Sequence, residues 1–353
     1  MLSDGPRSTP IPPAQEHLLK DGWRRLKPLN RFNAEVSEKA MKGRKVIVTG
    51  GLGFIGSHLV EALVEKNDVT VIDNRSTGKL ENIDHLGDAR PDVIEGDVAA
   101  LNLREIFDGY DYVFHLAALP SVERSINDPL ASNESNSTGT LRVLVAAKES
   151  GVRKVVFASS SSVYGNAAML PKREDMCLAP ISPYAVTKAA GELYCTVFHQ
   201  VYGLPTVSLR LFNVFGPRQD PYSHYAAVIP KFITAMLSDQ SPTVYGDGTQ
   251  SRDFTFVNHV VAANIRACES SETGTFNIAC GRRIALNELI VLLSEITGRT
   301  PTPTYVAPRP GDVQHSLADI SKARSFGYAP HSNFKEELEE TVRWFERGHR
   351  SEN

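Results

Sequence analysis

A doubly wound parallel α/β sheet with a smaller C-terminal α/β lobe is the fold class this 353-residue sequence predicts. Three observations point to it. Apolar runs and helical stretches alternate from about residue 43 to 215, as in parallel sheets. A glycine-rich turn joins the first run to the first helix. Past Gly216 the texture shifts to short pieces separated by "YGDGTQSRDF", "ACGRR" and "APRPGD". The expected organisation is an extension over 1–42, a sheet domain over 43–215 with chain returns from later segments, and a ligand lobe over 216–353. The extension is Pro-rich at its start, and its middle is expected to form a short helix around Trp23.

The first unit is "VIVTGGLGFIGSHLVEAL", Val46 to Leu63. Its apolar run ends in Gly50, Gly53 and Gly56, with Phe54 and Ile55 between the last two, and then takes on helical periodicity. Such a turn aims backbone N–H groups and a helix N-terminus at a phosphate. Its three-and-three spacing differs from the G-x-G-x-x-G of the Rossmann fingerprint, but the reading is Rossmann-like. The next strand, "DVTVIDN", ends in Asp73 and Asn74, about 20 residues past the turn, where a carboxylate accepts from ribose hydroxyls. It also repels a 2′-phosphate, so the expected cofactor is NAD rather than NADP.

The alternation continues through "DVIEGDV", where Asp97 and Val98 are placed to frame an adenine, and "YDYVFHLAAL", where Leu116, Ala117 and Ala118 let a ligand approach the backbone. A helix through "TLRVLVAAKES" follows, then the strand "KVVFASS" running into Ser159–Ser162, a helix from Tyr184 to about Tyr202, and "PTVSLRLFNVFG". In open parallel sheets ligands bind beyond the C-terminal ends of the strands, so these strand ends are where chemistry is sought.

Composition narrows the function. A formal charge of −3 with 41% hydrophobic residues lacks the basic excess of a nucleic-acid binder. Four cysteines, at 177, 195, 268 and 280, form no C-x-x-C pair, so reduced thiols and no metal are expected. No segment has the apolar length of a membrane span, and a cytoplasmic protein is expected.

"SPYAVTK" sets Tyr184 and Lys188 four apart, on one helix face. An ammonium beside a phenol favours the phenolate, lowering a pKa that starts near 10. The serine cluster about two dozen residues upstream supplies a hydroxyl to share the proton. Glycine turn, Asp73, serines and the Tyr184/Lys188 pair together describe an NAD-dependent oxidoreductase site. A binding-only NAD sensor would keep the turn but lose the tyrosine or lysine, and both are present.

From about residue 43 onward the chain resembles the extended short-chain dehydrogenase/reductases, and within them the nucleotide-sugar 4-epimerases. The motifs are "SVERSINDP", "SSSSVYG", "SPYAVTK", "RLFNVFGPRQDP", "GDGTQSRDF" and "APRPGDVQHSLADISKA". The resemblance implies Ser160 as catalytic hydroxyl, Tyr184 as base and Lys188 as its activator and nicotinamide-ribose ligand. Asn136 and Asn213 would contact cofactor and substrate, Arg252 and Arg309 would hold the diphosphate, and Ser121, Ser161, Ser162 and Val228 would join the substrate site. Dehydrating relatives carry an Asp-Glu pair where Ser161 and Ser162 stand, and decarboxylating ones a glutamate nearby, so a net stereochemical change is expected. A homodimer through the Tyr184 helix and the helix after "SNSTGT" is also implied; Leu141, Leu144, Val145, Leu193 and Val197 suit that interface or packing on the sheet.

In the resembled epimerases one pocket-wall position often carries tyrosine when only UDP-glucose and UDP-galactose are accepted. Here it is Ser316, leaving room for a 2-acetamido group. The expected substrates are UDP-N-acetylglucosamine and UDP-N-acetylgalactosamine, ahead of UDP-glucose. UDP-glucuronate ranks third, with Arg124 as the cation it would need.

Overall fold

The computed structural model describes residues 41–221, 227–308, 313–331 and 333–352. Residues 1–40, with the expected helix around Trp23, lie outside them, as does Arg309.

The chain opens with β1 (Lys45–Thr49), α1 (Phe54–Val64), β2 (Asp68–Asp73) and β3 (Asp92–Glu95). A one-turn α2 (Leu103–Ile106) leads to β4 (Tyr112–His115), then to α3 (Val122–Asn127), α4 (Pro129–Asn133) and α5 (Gly139–Glu149). Next come β5 (Lys154–Ser160), α6 (Pro183–Tyr202), β6 (Thr206–Leu211) and β7 (Val214–Phe215). The remainder is α7 (Val228–Leu237), β8 (Thr243–Tyr245), β9 (Ser251–Arg252), β10 (Thr255–Phe256), α8 (Val257–Glu269), β11 (Gly274–Ile278), β12 (Ile284–Ala285), α9 (Leu286–Thr297), β13 (Thr304–Val306) and α10 (Phe334–Glu352).

Seven strands form the central sheet in the order β11-β6-β5-β4-β1-β2-β3, all parallel. The order reverses direction between β1 and β4, which places a crevice at the C-terminal ends of those two strands. Both faces are covered, and side chains divide by the two-residue period. Val46 and Val48 pack on one side with Leu59, Val60 and the α8 residues Val260 and Val261. Ile47 packs on the other with Val143, Leu144, Phe157 and Phe198. A separate core built on Phe215, Phe232, Phe254, Leu289 and Phe334 fills the smaller lobe.

Two features go beyond the sequence reading, which expected chain returns from later segments without naming the strand and assigned no helix between Leu119 and Asn133. The stretch "SVERSINDPLASN" folds as α3 and α4, capped by Ser121 and Asp128, whose side chains accept from Arg124 and Ala131 N–H. Such brief helices are decided by their caps and carry too few apolar positions to show a period. The second feature is β11, which lies after the chain has built much of the smaller lobe and then returns as the sheet's edge strand against β6.

Candidate active site

The turn after β1 is shaped for close approach. Gly50 has φ +72, and a Cβ there would stand 2.7 Å from the Ala117 nitrogen; a Cβ at Gly56 would stand 2.1 Å from the Gly50 carbonyl oxygen. Only glycine fits either position. Helix α1 starts at Gly53 with no side-chain cap and no acidic residue in its first turn, so its own sequence places no anion on its positive end.

One cleft is lined by Gly50, Gly53, Phe54, Ile55, Gly56, Asp73, Asn74, Asp97, Val98, Leu116, Ala117, Ala118, Tyr184 and Lys188. The structure therefore brings together every residue expected at the cofactor except Asn136. Asp73 holds the adjoining turn, accepting from Leu52 N–H at 3.0 Å and Arg75 N–H at 2.7 Å. Burial nevertheless raises its carboxyl above the usual carboxylate range. Asn74 donates to Asp97 at 2.9 Å across the strand ends. Asn136 is buried in the wall behind: it donates to Thr187 at 3.1 Å and to the Leu119 carbonyl at 3.3 Å, and accepts from Leu119 N–H at 2.7 Å.

Helix α6 carries the central pair. Ser182 caps it, accepting from Ala185 N–H at 3.2 Å, and the buried Ser125 hydroxyl accepts from Tyr184 N–H at 3.0 Å. The Tyr184 phenol is hydrogen-bonded to Ser160; burial raises its pKa and that bond opposes the rise. Lys188 is buried, donates to the Ala158 carbonyl at 2.8 Å, and lies 5.9 Å from the Tyr184 ring centre. This corrects one expectation: the ammonium is directed at the strand carbonyl, and Tyr184 titrates above its ordinary value rather than below it. Burial also pulls Lys188 down to about 8, against the nearby Cys195 and Glu192.

Beneath the pair lies a buried polar network. Glu192 accepts from Ser159 at 2.5 Å and is clasped by the Arg210 guanidinium at 2.7–3.2 Å. Arg210 in turn sits 4.6 Å from the Tyr164 ring centre. Spacing alone did not reveal Ser125 or Glu192, because a single polar residue in an apolar stretch has no period.

The expected substrate residues divide. Ser160 ends β5, Ser161 and Ser162 open the turn that follows, and the Ser162 hydroxyl is buried without a hydrogen-bond partner. Asn213, at φ +34, donates to the Asp253 carbonyl at 3.1 Å and to the Ser316 hydroxyl at 3.4 Å. Arg252 donates to the Ser251 and Gln314 carbonyls, both at 3.1 Å. Ser121 and Arg124 stand at the start of α3, while Val228 begins α7 and packs on the smaller lobe's core.

With that geometry in place, likeness to known proteins assigns the class. Residues 46–279 match the NAD dependent epimerase/dehydratase family, and the chain belongs to it. A UDP-N-acetylglucosamine 4-epimerase from Methanobrevibacter ruminantium M1, solved with UDP-N-acetylmuramic acid, is 48% identical. The likeness covers 86% of this chain and 99% of that one, with a TM-score of 0.85. A UDP-glucuronic acid 4-epimerase from Bacillus cereus, solved with UDP-glucuronic acid and NAD, is 34% identical over 86% of this chain and 99% of its own, with a TM-score of 0.80. A UDP-glucose 4-epimerase from Mycolicibacterium smegmatis is 37% identical over 311 residues, 85% of this chain and 98% of its own length. This is accordingly an enzyme, an NAD-dependent nucleotide-sugar epimerase of the extended short-chain dehydrogenase/reductase type. Among the described residues no helix is long and apolar enough to cross a membrane, and no group of three His, Cys, Asp or Glu side chains could hold a metal ion.

Proposed function

We propose that the enzyme inverts C4 of UDP-N-acetylglucosamine and UDP-N-acetylgalactosamine, with UDP-glucose and UDP-galactose as slower substrates. The observation that carries this reading is Ser316, a small residue whose hydroxyl lies 3.4 Å from Asn213 Nδ2, where a bulkier wall would exclude an acetamido group. The 48% identity to a UDP-N-acetylglucosamine 4-epimerase supports it.

The residues present fit NAD. A Cβ would close the Gly50–Gly56 turn, Asp73 lines the cleft, and Lys188 gives one of its three donors to the Ala158 carbonyl. When bound, NAD supplies a reversible hydride acceptor for the sugar's C4. The protein's own part is to move the proton and hold the substrate. Tyr184, as phenolate, takes the proton of the C4 hydroxyl, with Ser160 sharing the hydrogen bond. Lys188, 5.9 Å from the Tyr184 ring centre, would bond the nicotinamide ribose when NAD is bound, while the Ser160 hydrogen bond is what opposes the burial of the phenol. Arg252 would grip the diphosphate and leave the hexose loose enough to turn over and present its other face. Ser161 and Ser162 offer no carboxyl to expel water, which fits a net change of configuration rather than a dehydration.

A homodimer is part of this reading. Val186, Leu193, Val197 and Val201 are 45–66% exposed and recur at seven- and four-residue spacing along one face of α6. Val145 of α5 is 38% exposed, whereas Leu144 is buried in the core and serves the sheet instead.

The test offers UDP-N-acetylglucosamine, UDP-glucose and UDP-glucuronate separately to purified enzyme without added NAD, and compares initial rates of C4 inversion. Faster inversion of the acetylated sugar is the expected result. Preference for UDP-glucose or UDP-glucuronate would overturn the assignment of the pocket.

A further inference from the structure

Asp253 stands between β9 and β10, is fully buried, and directs its carboxylate at backbone. It accepts from Cys280 N–H at 3.0 Å and from Gly281 and Ala318 N–H, each at 3.1 Å; Arg282 N–H adds a fourth bond. An ionised carboxylate has about four lone-pair sites, and backbone donors take them all. Burying a charge this way is costly, and the cost is visible: burial pushes the carboxyl up to about 6 despite four bonds that pull it down. Four backbone N–H groups from two loops converge on a charge that burial disfavours, a geometry that ties those loops together.

What the carboxylate secures is the framework under three side chains. Arg252 precedes it directly. Its own carbonyl accepts from Asn213 at 3.1 Å, and Thr255 N–H returns a bond of 3.2 Å to the Asn213 carbonyl, pinning a non-glycine residue at φ +34. Ser316 is two residues from Ala318, and its N–H bonds the Ser251 carbonyl at 3.0 Å. Two distant loops, at 280–282 and at 318, thus meet at the Asp253 carboxylate, and Asn213 meets the main-chain carbonyl of the same residue.

We propose that Asp253 is the positioning residue of the substrate side, fixing Arg252, Asn213 and Ser316 against one another while taking no part in holding NAD. The inference rests on the assignment of those three side chains to the UDP-sugar. Asparagine in its place keeps the volume but turns an N–H₂ toward backbone donors, so the two loops lose their anchor.

The experiment uses the NAD-loaded enzyme and its Asp253→Asn variant. UDP is titrated calorimetrically, KM and kcat are measured with the preferred UDP-sugar, and bound NAD is quantified after extraction. The expected result is UDP affinity weakened and KM raised by at least about tenfold, kcat within about threefold, and NAD content unchanged. Hydrogen exchange should quicken at amides 280–282 and 318 and stay slow at the Gly50 turn. Unchanged UDP affinity and KM overturn the proposal, as does parallel loss of NAD and UDP. If Asp253→Asn does not fold, Asp253→Glu keeps the charge but displaces it by one methylene, and the same split between UDP and NAD decides. Failure of the unaltered enzyme to bind UDP would instead overturn the UDP-sugar reading beneath it.

Discussion

Lys188 illustrates how one residue's surroundings set the working range. Buried and held to about 8, it carries its charge below that pH and loses it above. The ammonium that would bond the nicotinamide ribose should therefore lose its charge as pH rises through about 8, so affinity for NAD should fall above that pH; NAD titrations on either side of it check this. Tyr184→Phe should lower turnover by roughly 10²–10⁴-fold while extracted NAD stays at the unaltered level. Ser316→Tyr should reverse the sugar preference, read as the ratio of kcat/KM for acetylated and plain substrates. Tyr184 and Lys188 were legible in the sequence because a four-residue interval on a helix states their shared direction. Asp253 and Ser125 were not. Their importance lies in which distant N–H groups point at them, and no local pattern records that.

At the scale of elements, α6 is where stability and chemistry meet. Glu192 and Arg210 are each 4% exposed at the side chain, so Glu192→Gln leaves a buried guanidinium without its counter-charge. That change should cost on the order of 3–5 kcal/mol in denaturant unfolding. Ser182→Ala, which removes only the helix cap, should cost about 1 kcal/mol. The strand "KVVFASS" and the Tyr184 helix were read from sequence almost residue for residue, since continuous apolar runs and a long helical period dominate their local physics. α3 and α4 escaped because caps define them. β11 escaped as a member of the main sheet because five residues, "GTFNI", do not state which neighbour they will pair with.

For the molecule as a whole, acid is the expected weakness. Burial holds His58 and His115 neutral, with pKa values lowered to about 3. Unfolding lets each take up a proton below about 6.5, so the stability they contribute is complete above that pH and declines as pH falls toward 3. Tm should drop steadily on acidification below pH 6.5, and replacing His115 by a neutral residue should flatten that slope. Association state gives a second measure: Leu193→Asp with Val197→Asp should convert the proposed dimer to a monomer in sedimentation velocity. The edge strand β11 also bears on how the protein is made. Until residue 278 leaves the ribosome, β6 presents an open edge of unpaired N–H and C=O groups, and the α8 side chains that cover Val46 and Val48 have only just emerged. The nucleotide half therefore cannot mature ahead of the sugar-side half during translation. A gene truncated after codon 216 should yield aggregates, and exchanging one half between relatives should succeed only if β11 and α8 travel with the sheet.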